Sequence, residues 1–116
     1  MASTKAEMRD MAGEELGVKR LHQPMQSQDA ARITKSFDQV YAQLKKDGLA
    51  IWASTGSAPD EVVPHIVFLI AEGCLGVYGV SNERYNRIVM GANKARREIP
   101  KMVKPDYESQ DNATDY

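Results

Sequence analysis

Cysteine is almost missing from this chain, Cys74 being the only one. A single thiol cannot close an internal disulfide, which excludes a disulfide-stapled scaffold. Histidine is scarce as well: His22 and His65 stand far apart and neither has a local partner motif. Charge of one sign is missing too. The 15 Lys and Arg against 16 Asp and Glu leave a net charge of -1, so bulk charge gives no reason to expect nucleic acid or an anionic membrane. No long apolar run is present. The longest, Ile66 to Ala71, is far too short to span a bilayer. Lys5, Glu7, Arg9 and Asp10 crowd the first residues, where a signal peptide would need an apolar stretch. The expectation is a chain made and folded in a reducing cytosol, with no membrane partner. There is no internal repeat, low-complexity block, Walker loop, GxSxG, GxGxxG or HExxH.

What remains is an ordinary soluble composition, 42% hydrophobic and 27% charged over 116 residues. That is one domain with one core. Four segments carry helical periodicity. The first runs from about Thr4 to Leu16. Thr4 and Glu7 have capping-box spacing, Met8, Met11, Ala12 and Glu15 recur at helical steps, and Gly17 fits a left-handed stop. Its methionine-rich face suggests a weakly held helix. Pro24 and neighbouring glutamines break the pattern through residues 18–27.

The second segment runs from about Gln28 to Lys46, with Ser27 as its cap. Ala30, Ile33, Phe37, Val40, Tyr41 and Leu44 form one apolar stripe. Asp29 near its start and Lys45 and Lys46 near its end complement the helix dipole, and Gly48 ends it. Trp52 follows in a short apolar stretch and reads as a plug over the core edge rather than a ligand-stacking residue. Ser54 to Ser57 reads as a turn.

The third helix starts between Pro59 and Pro64 and ends near Tyr78; Pro64 either marks the start or kinks the first turn. Its only polar stripe is Glu61, His65 and Glu72. A helix apolar nearly all round is buried nearly all round. In so small a domain this hints at self-association, with Phe68, Leu75 and Tyr78 as candidate packing residues between copies. Gly73 and Gly76 could admit close approach by Gly91, Ala92 and Ala95 of the fourth helix. Alternatively, the third helix ends before Gly76.

The fourth helix runs from about Asn82, capped by Ser81, to Ile99, where Pro100 stops it. Tyr85, Ile88, Val89, Ala92, Ala95 and Ile99 make its apolar stripe, and Arg87, Lys94 and Arg97 project away from it together. Three readings of that basic strip stay open: contact with a DNA backbone, docking of an acidic segment such as the tail of a neighbouring copy, or a solvated face with Glu98 pairing Lys94. A helix-turn-helix reader is disfavoured, because Asn82, Glu83 and Arg84 make a mediocre reading head. Beyond Pro100 the pattern dissolves. Asp106, Glu108, Asp111 and Asp115 mark an acidic, apolar-poor arm that cannot form a core alone.

Catalytic and metal chemistry find little support. His65 and Cys74, nine residues apart, would lie on opposite helix faces. Glu61, His65 and Glu72 share a stripe but read as a solvated face. Cys74, among glycines and aliphatics, reads as a small buried hydrophobe. No catalytic residue, metal ligand or cofactor is assigned, and the chain is read as non-enzymatic.

The combined pattern resembles the head-to-tail connector or adaptor proteins of tailed bacteriophages. The likeness is carried by Gln28-Asp29-Ala30-Ala31-Arg32-Ile33 through Tyr41-Ala42-Gln43-Leu44-Lys45 and by Asp47-Gly48-Leu49-Ala50-Ile51-Trp52. It continues in Pro59-Asp60-Glu61-Val62-Val63-Pro64, in Gly76-Val77-Tyr78-Gly79 and in the basic fourth helix. It covers roughly residues 13–100 and is one of helix order, breaks and a few aromatics. It implies a structural virion protein, made in the host bacterial cytoplasm and placed at the head–tail interface. In such a protein about twelve copies form a ring under the portal, extend the channel for genomic DNA and offer a platform to the next tail protein. It also implies an arm that reaches a partner, here with Lys104, Pro105, Asp106, Tyr107 and Tyr116 as candidate contacts. The expected fold is all-α: a bundle of about four helices over residues 1–100, with an extended acidic arm over 101–116. The alternative function is a small DNA-binding protein of phage packaging or regulation.

Overall fold

The computed structural model describes residues 2–20, 22–50, 52 and 56–102. The elements are β1 (Ala2–Thr4), α1 (Lys5–Leu16), α2 (Ser27–Lys46), β2 (Ser57–Pro59), α3 (Val63–Gly73) and α4 (Asn82–Met102). This is a small four-helix bundle with little strand. The acidic arm lies outside the described residues.

Local signals place most helix ends. The α1 capping box forms as its spacing predicts. The Glu7 N–H donates to Thr4 Oγ1 at 3.2 Å, and the Thr4 N–H donates to Glu7 Oε1 at 2.8 Å. Gly17, at φ 81, stops the helix in the left-handed region. At the end of α2, Gly48 turns left-handed at φ 76 and the Leu49 N–H donates to the Leu44 carbonyl at 2.8 Å, a Schellman stop. Ser81 caps α4 by accepting the Arg84 N–H at 3.2 Å.

Several expectations are corrected. Ser27 is the first residue of α2 rather than its cap; Gln26 takes that place without a side-chain bond. Two places left open are settled instead: Pro64 sits in the first turn of α3, within the expected start, and of the two ends considered the helix takes the earlier, at Gly73, leaving Gly76 outside it. α4 continues through Pro100 to Met102, because a missing N–H in the last turn removes one ladder bond rather than interrupting a run. β1 and β2 were not anticipated. They pair antiparallel, Ser3 opposite Ala58, in a ladder of three residues each, too short to show alternation.

α1 packs on α2 and α3. Its buried line is Met8, Ala12 and Leu16, steps of four that meet α2 and α3. The connection to α2 returns over it: a Cβ on Gly13 would stand 3.0 Å from Met25 Cε, so glycine lets that loop close down.

α3 occupies the centre, with α1, α2 and α4 packed around it. Val63, Ile66, Val67, Ile70 and Ala71 are buried, while Phe68 and Leu69 are half-buried. The apolar girth that suggested self-association is therefore largely covered within one chain. The close α3–α4 crossing exists but uses other atoms than expected. Gly91 lies against the Phe68 ring, where a Cβ would come within 2.5 Å of Cγ. Gly73 instead faces Ser36 of α2, and among the described residues nothing lies within 4 Å of a Cβ on Gly76. Ser36, buried in this apolar layer, is satisfied by donating to the Ile70 carbonyl at 2.8 Å. Phe37 and Tyr41 stack at 6.1 Å, and Trp52 meets Tyr41 edge-on at 6.0 Å, so the tryptophan does cover the core margin. The Cα radius of gyration, 15.2 Å, exceeds the roughly 13 Å of a compact chain of about 100 residues, giving an elongated body.

Candidate functional site

α2 and α4 lean on α3 from two sides without substantial packing on each other. Between their C-terminal halves they leave a groove of about 500 Å³. Val40 and Leu44 of α2, Leu49 beyond it, Leu69 of α3, and Ala95 and Ile99 of α4 supply its apolar lining. Gln39, Gln43, Asp47, Glu72 and Arg96 supply the polar residues around it. Most of those polar groups are already engaged. Gln43 Nε2 donates to the Asp47 carboxylate at 3.2 Å. Arg96 donates to Glu72, and its other nitrogen donates to Asn93 Oδ1 at 2.8 Å. A groove whose polar groups bond to each other, rather than converging on one empty point, offers shape and apolar surface to a partner.

The basic strip is divided by its surroundings. Arg87 is drawn to α1, where Nε and Nη2 donate to Glu15 at 2.9 and 3.2 Å, and its guanidinium lies 5.6 Å from the Phe68 ring centre. The Glu15 carboxylate raises the Arg87 pKa further above its ordinary value. Lys94 and Arg97 are exposed and have no ion-pair partner among the described residues. The pairing imagined for Glu98 goes to Lys101 instead, at 3.4 Å. Arg84, named in the sequence only as part of a mediocre reading head, does structural work here. Arg84 Nη1 donates to the Glu14 and Glu15 carbonyls at 3.1 and 3.0 Å, capping the exposed C-terminal end of α1. Its partners are too distant in sequence for any local spacing to reveal the bond.

Phe68, Leu75 and Tyr78, the candidate packing residues between copies, are all half-buried in their own chain. Phe68 is held between Gly91 and Arg87. Tyr78 Oη donates to Asp29 Oδ1 at 2.8 Å, tying the α3–α4 connection to the start of α2. Burial first, and then Asp29, raise the Tyr78 pKa to about 12. Lys104, Pro105, Asp106, Tyr107 and Tyr116 lie outside the described residues.

Cys74 is buried at the end of α3, and burial pushes its thiol pKa up, which opposes nucleophilic use. Glu61, His65 and Glu72 do not converge: Glu72 turns to Arg96, and no group of three His, Cys, Asp or Glu among the described residues could hold a metal ion. No helix of the described residues is long and apolar enough to cross a membrane. Exposed Met90, Val77 and Tyr85 add scattered apolar surface outside the groove.

Neither the protein-family models, nor curated proteins, nor solved structures show a match to this chain. The likeness to phage adaptors therefore rests on the residue pattern alone.

Proposed function

We propose that the chain is a non-catalytic assembly protein, a head-to-tail adaptor that joins about eleven further copies in a ring under a phage portal. The observation that carries this reading is the apolar groove between α2 and α4. A ring contact needs two different complementary surfaces on one chain. The groove is one, and the outward side of α4 or the half-buried Phe68, Leu75 and Tyr78 margin can provide the other. In this reading the groove receives a neighbouring copy, the arm engages the portal, and the assembled ring presents a platform to the next tail protein. The elongated body suits copies standing side by side around a DNA channel.

The test is mass in solution, with and without purified portal, by native mass spectrometry or light scattering. A ring of about twelve copies, alone or on the portal, is expected. A monomer or dimer that ignores the portal would remove the reading.

The exposed Lys94 and Arg97, with no ion-pair partner among the described residues, favour a second reading, that of a small DNA-binding protein. Two phosphate contacts would give a log-affinity against log-salt slope of only about −2, so tight, steeply salt-dependent duplex binding would speak for a broader basic surface and against the adaptor.

A further inference from the structure

α4 has a second ordered side. Ile88, Ala92, Ala95 and Ile99 turn inward. Met90, Lys94, Arg97 and Lys101 follow one another at helical steps, and at about 100° per residue they fall on the side directly opposite. All four are exposed, and Met90, at 71%, is the most exposed large hydrophobic among the described residues. Lys101 pairs with Glu98 of its own helix, whereas Lys94 and Arg97 have no ion-pair partner among the described residues. The stripe thus presents an apolar anchor followed by two unneutralised cations.

The groove between α2 and α4 is its counterpart. Beside the apolar Val40, Leu44, Leu49 and Leu69, it holds two carboxylates, Asp47 and Glu72, against one cation, Arg96. Arg96 is taken by Glu72. Asp47 accepts from the Gln43 amide and has no ion-pair partner among the described residues. The spacings agree as well. Val40 and Asp47 are seven residues apart along α2 and its cap, and Met90 and Arg97 are seven apart on α4. Each pair spans about 10.5 Å at a rise of about 1.5 Å per residue. One chain cannot make this contact with itself, because its groove is bounded by Ala95, Arg96 and Ile99 on another side of α4. We infer that the outward stripe of α4 in one copy seats in the α2–α4 groove of the next, with Met90 against Val40 and Leu44 and Arg97 beside Asp47. The entering helix runs in the same direction as the receiving α2, since the reverse would put Met90 at Asp47 and Arg97 on apolar surface. Methionine suits such a slot, because its unbranched side chain fills irregular apolar space. A phosphate backbone would leave Met90 without a partner and meet only two free cations, which favours a protein surface over DNA. The contact is heterologous: every copy donates a stripe and receives one, so the series closes into a ring or runs on as a filament. The inference rests on the reading that the groove receives a copy, and it names the surface that enters.

The test mixes two variants of the full chain and reads their masses by native mass spectrometry. Gln39→Trp blocks the groove and leaves the stripe; Met90→Asp with Arg97→Glu spoils the stripe and leaves the groove. All three positions are exposed, so helical circular dichroism should match the parent. The parent should assemble, and each variant alone should be monomeric. Mixed, they should form a one-to-one dimer that grows no further, because each keeps one working surface. Open chains of copies in the parent, in place of a closed ring, would support the contact while removing the ring. A stripe variant that assembles like the parent, where Gln39→Trp does not, overturns the inference and leaves the groove reading standing with another surface entering it. Variants that mix without pairing overturn it as well. A parent that stays monomeric at high concentration, with and without portal, gives the groove to the chain's own residues 103–116 or to another protein, and overturns the inference and the adaptor reading together. Stripe substitutions that weaken duplex DNA binding and leave the masses unchanged overturn it in favour of nucleic acid. Should the stripe variant fail to fold, Asp47→Lys and Arg97→Glu, each alone and then together in one chain, answer the same question. Each alone should lose assembly and the pair should regain it, and a pair that regains nothing overturns the inference.

Discussion

The Tyr78 hydroxyl donates to Asp29 at 2.8 Å, and burial first, then this bond, lifts the phenol pKa to about 12. The folded state then holds this proton more tightly than the unfolded chain, where tyrosine titrates near about 10. The stabilisation is therefore complete below about pH 10 and is lost as pH rises toward about 12. Tyr78→Phe should cost about 1 kcal/mol at neutral pH, the net worth of one hydrogen bond. It should also make stability fall less steeply than in the parent between about pH 10 and 12, a difference read by urea unfolding across that range. An unchanged slope would mean that Asp29 does not hold the phenol. Residue-scale features were legible when both partners lay within one turn. Thr4 and Glu7 are three apart, and their reciprocal bonds form. Arg84 and the α1 carbonyls it caps are about seventy residues apart, and no spacing rule reaches that far. Tyr78 was read as a packing residue between copies, and its hydroxyl bonds to Asp29, a residue that only folding brings near.

Helices and their order could be read from apolar periodicity and stop residues, because Gly17, Gly48 and Ser81 act through their own backbone or the adjacent turn. Which helix meets which was harder. Small residues mark close approach but do not say to what, and Gly73 and Gly91 turned out to serve different neighbours, Ser36 and Phe68. This contrast gives a prediction about the α3–α4 crossing. Gly91→Ala gains about 1 kcal/mol of helix propensity but drives a methyl group to within 2.5 Å of the Phe68 ring, whose side chain is also held by Arg87. Overpacking commonly costs about 1–3 kcal/mol, so the net expectation is a destabilisation of about 1 kcal/mol. Gly76→Ala, with open space around it, should be close to neutral. Denaturant midpoints of the two variants, followed by helical circular dichroism, separate the cases. Equal midpoints would mean that the crossing is looser than the Gly91–Phe68 contact requires. Phe68→Leu added to Gly91→Ala should recover part of the loss, because the smaller side chain vacates the space the methyl group needs.

At the scale of the whole molecule, the bundle could be read from the sequence but the groove could not. Periodicity shows that α2 and α4 each have one apolar stripe; it does not show that both lie on α3 and leave their C-terminal halves apart. The central position of α3 was not legible for the same reason: its apolar girth fits a helix wrapped by three partners as well as one shared between copies. If the groove receives a neighbouring copy, filling it should stop assembly and leave the fold alone. Gln39 is exposed on α2 beside the groove and makes no side-chain bond among the described residues, so Gln39→Trp places a large ring across the opening without touching the core. Surface changes of this kind usually alter stability by no more than about 0.5 kcal/mol. The parent midpoint and helical signal should persist, while the ring of about twelve copies gives way to monomer in native mass spectra. Removing residues 103–116 should have a different signature, leaving the bundle folded and the copies able to meet but weakening attachment to the portal. A Gln39→Trp protein that still forms rings would move the contact between copies to another surface, with Phe68, Leu75 and Tyr78 next in line. Loss of folding in either variant would show instead that the groove or the segment after Met102 supports the bundle itself.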